Sequence, residues 1–417
     1  MLLRFRLSLR AAARCCILSA AVATAPAMAT GRLWLLRLGL YRLRSVAAAD
    51  DWCWLVDHTA LLGRQRLLVV LGVRQRAWTE RAIRGEGVLS FGDVRVLHVA
   101  VVADPNAEQL HSQLDALAQR SGVPKAILSD RGADVAAGIR RFRATRPAVA
   151  DVADIKHFAA NRLKALLRVQ PAWAVLQTAL GQTRAALQQT EWAFVVPPAL
   201  RTKSRYLNLD VLLRWAAKAQ ALLALPTAQL ARRGEVARLE KALGWLRSLK
   251  IPLGQWGEWL ALTEEAVRAV RAHGLHAGAA ADLAARLETL AGTASGRTLA
   301  EQLVAFVRRQ QEQVPVGGRL PGSTEVLESL FGRLKALQQQ HSRGGVTALV
   351  LALPALLGEA EPEEVAAALA DCPTAEVRRW VQEQVTPNIQ QQRCWLRSLL
   401  PPPQRKKKQT KQRRVAA

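Results

Sequence analysis

Cysteine is scarce in this chain. Only five of its 417 residues are cysteine (Cys15, Cys16, Cys53, Cys372 and Cys394), an odd number without a CxxC pair. A disulfide framework and a thiolate zinc site are therefore excluded as organising features. Negative charge is also scarce: 33 Asp and Glu stand against 59 Lys and Arg, a net charge of +26. Beyond the N-terminal segment no run is long and apolar enough to suggest a membrane span. An internal repeat is missing as well. The HxxH pair His273 and His276 in AHGLHAG has no cysteine or carboxylate within its stretch, so it is given no metal role.

What remains is a globular composition. Half of the residues are hydrophobic and 22% are charged, which suits a packed core rather than disorder. The length allows two or three domains. The excess of positive charge points to a polyanionic partner, because neutralising phosphates releases counterions. An anionic membrane surface is the weaker alternative. The N-terminus, MLLRFRLSLRAAARCCILSAAVATAPAMA, has arginines, a short apolar run and Ala27-Met28-Ala29. That pattern fits a secretory signal with an A-x-A site. It also fits a basic amphipathic helix left from a DNA-binding region, which the rest of the chain favours.

Hydrophobic periodicity sets out the elements. WCWLVD, Trp52 to Asp57, alternates as a strand with Cys53, Leu55 and Asp57 on one face. RLLVVLGV (Arg66 to Val73) and VRVLHVAVV (Val94 to Val102) are continuous apolar runs, as expected of strands covered on both faces. A helix is predicted over Asn106 to Arg120, a strand over Lys125 to Leu128, a helix over Ala133 to Phe142 and a last strand over Ala148 to Val152. From Phe158 to about Val314 the pattern is helical, broken at Pro197-Pro198, Pro226, Pro252 and AGTASG. A linker-like PVGGRLPGS precedes TEVLESLFGRLKAL, whose Leu327, Leu330, Phe331, Leu334 and Leu337 make one apolar stripe behind a cap at Thr324. The chain ends in prolines and a tail with seven basic residues between Arg405 and Arg414. That tail is expected to be disordered and to grip phosphates.

The order β-β-β-α-β-α-β is that of an RNase-H-like core. The expected fold is therefore α/β: a mixed five-stranded sheet with helices, interrupted by a large all-α insertion. The expected boundaries are 1–48 (N-terminal segment), 49–157 (first part of the core), 158–317 (insertion), 318–358 (final core helix) and 359–417 (C-terminal helices and tail). In such a sheet the first and fourth strands are neighbours, which would place Asp57 beside Asp130. Glu328, on the flank of the TEVLESLFGRLKAL stripe, is the third acid expected there. Glu325, in the first helical turn, suits the helix dipole and reads as structural. Three carboxylates in this order suit phosphodiester chemistry, where two hard Mg²⁺ ions roughly 3.5–4 Å apart stabilise the attacking and leaving oxygens.

WLVDHTALLGRQRLLVVLGV, AILSDRGADVAAGIRRF and TEVLESLFGRLKAL resemble, in this order, the three acidic blocks of bacterial insertion-sequence transposases of the DDE type. The resemblance spans Gly31 to Gly358. The 198-residue gap from Asp130 to Glu328 fits members with an insertion domain before the last helix. Asp154-Ile155-Lys156-His157 is similar to the C/D-x-x-H motif that precedes an all-helical insertion in hAT-like and related transposases. Glu328 and Lys335 match the E-x6-K half of a Y-x2-R-x3-E-x6-K signature. The other half is missing, with Pro321 and Thr324 at its Tyr and Arg positions.

The resemblance implies catalytic, metal-holding Asp57, Asp130 and Glu328 with two Mg²⁺ ions, Mn²⁺ substituting. It implies DNA contacts by Lys335, Arg333 and His157, with Asp154 in support. The tail residues Arg405, Lys406, Lys407 and Lys408 would add non-specific grip. Of the insertion's tryptophans (Trp173, Trp192, Trp215, Trp245, Trp256 and Trp259) most are expected in the core, with Trp256 and Trp259 in GQWGEWL set apart as surfaces for a flipped base. The expected activity is cut-and-paste transposition: water attacks the phosphodiester at the element end, and the freed 3′-OH attacks target DNA. Double-stranded DNA, as element ends and target, is the expected partner of a homodimer in the cytoplasm, at the nucleoid, without membrane attachment. Only about fifty residues precede the first acidic block. Thr30 to Arg44 therefore reads as the linker after a helix-turn-helix, in a chain that starts late. A structure-selective nuclease on the same core and an inactive DNA-binding relic are the alternatives.

Overall fold

The computed structural model describes residues 8–18, 24–61, 64–200, 206–339, 347–385 and 389–399. Arg405, Lys406, Lys407 and Lys408 lie outside the described residues. Helices α1 (Leu9–Leu18) and α2 (Met28–Arg44) lead into β1 (Trp52–Ala60) and β2 (Gln65–Arg74). Helix α3 (Gln75–Ile83), β3 (Val94–Ala103), α4 (Ala107–Ser121), β4 (Ala126–Ser129), α5 (Ala133–Ala144) and β5 (Ala150–Ala153) follow. The helical region comprises α6 (Ile155–Arg168), α7 (Pro171–Leu187), α8 (Leu209–Leu223), α9 (Thr227–Ala231), α10 (Val236–Leu243), α11 (Lys250–His273), α12 (Ala279–Glu288) and α13 (Ala294–Gln311). Helix α14 (Glu325–Gln339), a 3₁₀ segment (Ala348–Leu357), α15 (Pro362–Asp371), α16 (Thr374–Gln384) and α17 (Ile389–Ser398) are the last elements among the described residues. No described helix is long and apolar enough to cross a membrane.

The five strands form one mixed sheet in the order β3-β2-β1-β4-β5. β1, β2 and β3 run antiparallel in succession, and β4 and β5 add to β1 in parallel. The parallel joints need crossovers, which α4 and α5 provide. Strand parity splits the core into two layers. Trp52, Trp54, Val56, Leu68, Val70 and Ile127 pack against Leu110, Leu114 and Leu117 of α4 and Ile139 and Phe142 of α5. Cys53, Leu55, Leu67, Val69, Leu71 and Leu128 face α2, α14 and the 3₁₀ segment. β2 is covered on both sides, so its apolar run is continuous rather than alternating.

Three features differ from the expectations. Helix α3 interrupts the succession of the first three strands. Its sequence, QRAWTERAI, buries only Trp78 and Ala82, so it shows no apolar stripe. The segment 348–357 is buried from Leu349 to Leu357 and packs between α2, α14 and β3. Residues 28–44 are not a linker but a core helix. Leu35, Leu36, Leu38, Leu40 and Leu43 of α2 are buried, and Gly39 lets the backbone of Leu351 come so close that a Cβ there would lie 1.9 Å from its carbonyl oxygen. The same helix holds the C-terminal helices: Arg42 pairs with Glu364 at 2.7 Å, and Arg44 with Glu376.

Candidate functional site

β1 and β4, neighbours inside the sheet, carry two of the three acids toward the same end. Val56 pairs with Ser129 in parallel register, so Asp57 and Asp130 each follow one residue beyond that pair. Asp57 is half-buried and its Oδ1 accepts from the His58 amide at 2.7 Å. Asp130 is half-buried and its Oδ1 accepts from the Gly132 amide at 3.0 Å. The chain then turns through Arg131 at φ 61°, a left-handed conformation that costs a side-chain-bearing residue roughly 1–3 kcal/mol. Arg131 is held there by Asp151, whose carboxylate and carbonyl oxygens each lie 3.1 Å from its guanidinium. His58 is pushed below the usual imidazole range by burial, against the opposing pull of Asp134 and Asp130.

Helix α14 carries the third acid, Glu328. Its stripe, Leu327, Leu330, Phe331, Leu334 and Leu337, is buried, and the helix packs on β1. Its start is fixed by Asp154, which is 2% exposed. Asp154 Oδ1 accepts from the His157 amide at 2.9 Å and caps α6, while its Oδ2 accepts from the Thr324 amide at 2.7 Å and from the Thr324 hydroxyl. One carboxylate thus lies between two helix N-termini, where the aligned amide dipoles favour negative charge. The Ile155 amide donates to Gly322 at 3.0 Å, and Gln310 of α13 accepts from the Ala153 amide at 2.8 Å. The Thr324 hydroxyl, expected to cap its own helix, is spent on Asp154 instead.

Lys156 is a residue that the sequence reading passed over. It sits in the first turn of α6, which holds no acid, so the helix dipole opposes its charge. Two carboxylates of α14 compensate: Glu325 Oε1 lies 3.0 Å from Lys156 Nζ, and Glu328 Oε2 lies 3.5 Å from it. Arg271, in the last turn of α11, takes the other oxygen of Glu325 at 2.8 Å. The result is an alternating chain of charges, Arg271–Glu325–Lys156–Glu328, that links α11, α14 and α6. A lysine at the dipole-disfavoured end of a helix, beside a motif, is the signal that could have found it.

The remaining sequence-predicted residues fall into two groups. Lys335 is exposed on α14, two turns beyond Glu328, and His157 is half-buried at the start of α6. Arg333 is committed internally: its guanidinium lies 3.8 Å from the centre of the Phe91 ring and donates to the Leu356 carbonyl at 2.6 Å. It ties α14 to the 3₁₀ segment, and a DNA contact is not what its geometry offers. Trp256 and Trp259 are each 0% exposed. Trp256 packs edge-on to Trp173 with ring centres 5.3 Å apart, and Trp259 donates to the Ser295 hydroxyl at 3.2 Å. Neither presents a face to a base, which corrects the stacking role expected of them. The reason is their spacing: three residues apart in a helix, they point to the same packed side.

The donor chemistry of Asp57, Asp130 and Glu328 is all oxygen, which suits Mg²⁺. Among the described residues, however, no group of three His, Cys, Asp or Glu is arranged to hold a metal ion. Two acids stand on adjacent strands, and the third is drawn to Lys156. The chain matches no protein-family model and no curated protein.

Proposed function

We propose that the chain is a DNA transposase of the DDE, RNase-H-like type, cleaving DNA at element ends and joining the freed strand to a target. The observation that carries the reading is the register of β1 and β4, which sets Asp57 and Asp130 on neighbouring parallel strands. The strand order β3-β2-β1-β4-β5 supports the fold assignment. Asp57, Asp130 and Glu328 would hold two Mg²⁺ ions, with Mn²⁺ as a substitute. When bound, such ions neutralise the charge that builds on the attacking and leaving oxygens of an in-line displacement. Asp154 sets the position of α14 and thereby of Glu328. Lys335 takes a backbone phosphate beside the acids, and the basic surface holds the duplexes of the element ends and target. Joining two ends calls for a homodimer on DNA. Such a protein acts in the cytoplasm, at the nucleoid.

The test is a supercoiled plasmid incubated with the full chain and Mg²⁺, alongside Asp57→Asn, Asp130→Asn and Glu328→Gln. Nicking by the unaltered chain and by none of the variants supports the reading; equal nicking by all four refutes it. A second reading, a DNA-binding relic without catalysis, draws on the ion pair that holds Glu328 to Lys156. Retained DNA binding with no metal-dependent nicking in any form identifies it.

A further inference from the structure

The charge chain at the start of α14 does more than neutralise itself. Glu325 and Glu328 are one helical turn apart and compete for one ammonium, that of Lys156. The side chains are half-buried, with 17% exposure for Lys156, 30% for Glu325 and 27% for Glu328, so solvent screens their attraction only in part. Glu325 holds the shorter contact, yet one of its oxygens is already occupied by Arg271. The balance at Lys156 therefore depends on how much of the Glu325 charge Arg271 absorbs.

Resting on the reading of Asp57, Asp130 and Glu328 as the metal-holding acids, we propose that Lys156 is a positioning residue that partitions between Glu325 and Glu328. Whatever strengthens its pairing with Glu325 releases Glu328 toward the other two acids. Whatever weakens that pairing locks Glu328 away. Because Arg271 belongs to α11, a displacement of the helical region that separates Arg271 from Glu325 would raise cation affinity at the sheet. This couples the inserted helices to the acids through charge alone. It also accounts for the placement of Lys156 at a helix end that disfavours it.

The test measures Mn²⁺ binding to the full chain by the loss of the free-ion electron paramagnetic resonance signal. Lys156→Met is expected to bind on the order of fivefold more tightly than the unaltered chain, within the usual range of coupling between sites. Glu325→Gln, which removes the competing carboxylate from Lys156, is expected to bind more weakly by a similar factor. Lys156→Arg keeps the charge and restores near-normal affinity. Measured against Glu328→Gln alone, Lys156→Met/Glu328→Gln must show no such gain, whereas a general effect of net charge would give the same gain on either background. Binding that depends on Asp57 and Asp130 but is indifferent to Lys156→Met and Glu325→Gln overturns the partition while leaving the metal site intact. No binding that Asp57→Asn and Asp130→Asn diminish overturns both.

Discussion

Replacing Asp154 by alanine should destabilise the protein more than a change of that size elsewhere. The carboxylate is buried and serves three donors: the His157 amide, the Thr324 amide and the Thr324 hydroxyl. Loss of the α6 cap costs about 1 kcal/mol. The two Thr324 donors are left without an acceptor in a buried place, at roughly 1–3 kcal/mol each, reduced somewhat because the hydroxyl can rotate. The total is about 3–5 kcal/mol. The opposing effect is relief from burying a charge, but that relief matters only when the partners are removed too. Here the partners, two backbone amides and the Thr324 hydroxyl, stay in place. Urea unfolding followed by tryptophan fluorescence measures the change. Asp154→Asn keeps one accepting oxygen and should fall between, and Thr324→Val should lose about 1 kcal/mol, the value of one hydrogen bond. An Asp154→Ala protein within about 0.5 kcal/mol of the original, the range of an ordinary surface change, would refute the reasoning.

Three other outcomes follow from particular contacts. Burial pushes the imidazoles of His58 and His98 below their usual value of 6.5, so the unfolded chain takes up protons that the folded one refuses. Stability should be full above pH 6.5 and fall as pH drops from there toward the folded pKa values; equal urea midpoints at about pH 7.5 and 5.5 would contradict this. Gly39→Ala should destabilise although alanine is the better helix former by about 1 kcal/mol. The new Cβ meets the Leu351 carbonyl oxygen at 1.9 Å, and overpacking of this kind costs roughly 1–3 kcal/mol; a raised urea midpoint would contradict it. Trp256→Ala should cost about 3–5 kcal/mol as a core deletion and leave DNA affinity, measured by fluorescence anisotropy on the folded protein, unchanged. A tenfold loss of affinity without loss of stability would return Trp256 to a base-stacking role.

The sheet was legible because its strands carry the period of their environment. In β1 the alternation separated Cys53, Leu55 and Asp57 from Trp54 and Val56, and the two groups do face different layers. β2 and β3 were legible as continuous runs because both faces are covered. Helix α14 was legible from its stripe, which is buried along its length. Helix α3 was not, because two buried residues in nine make no stripe. Helix α2 was misread as a linker for a different reason. Its leucines are spread around the helix, since it contacts the 3₁₀ segment, β3 and the C-terminal helices on different sides.

The site was legible where it follows from strand parity and not where it depends on long-range pairing. Asp57 and Asp130 could be placed side by side from strand order alone. The partner of Glu328 could not, because Lys156 lies 172 residues away in the chain and nothing local joins the two. Arg333 was likewise expected at DNA, but Phe91 and the Leu356 carbonyl come to it from other elements of the fold. Long cationic side chains are poorly placed by periodicity, since their stems can reach across a turn in either direction.

The central claim is that Asp57, Asp130 and Glu328 share divalent cations. Crystals of the full chain soaked in Mn²⁺, with diffraction measured for its anomalous signal, test it directly. The account predicts anomalous density between the Asp57 and Asp130 carboxylates, with Glu328 turned from Lys156 to complete the coordination. Density elsewhere, or none between these carboxylates while Glu328 stays on Lys156, would contradict it.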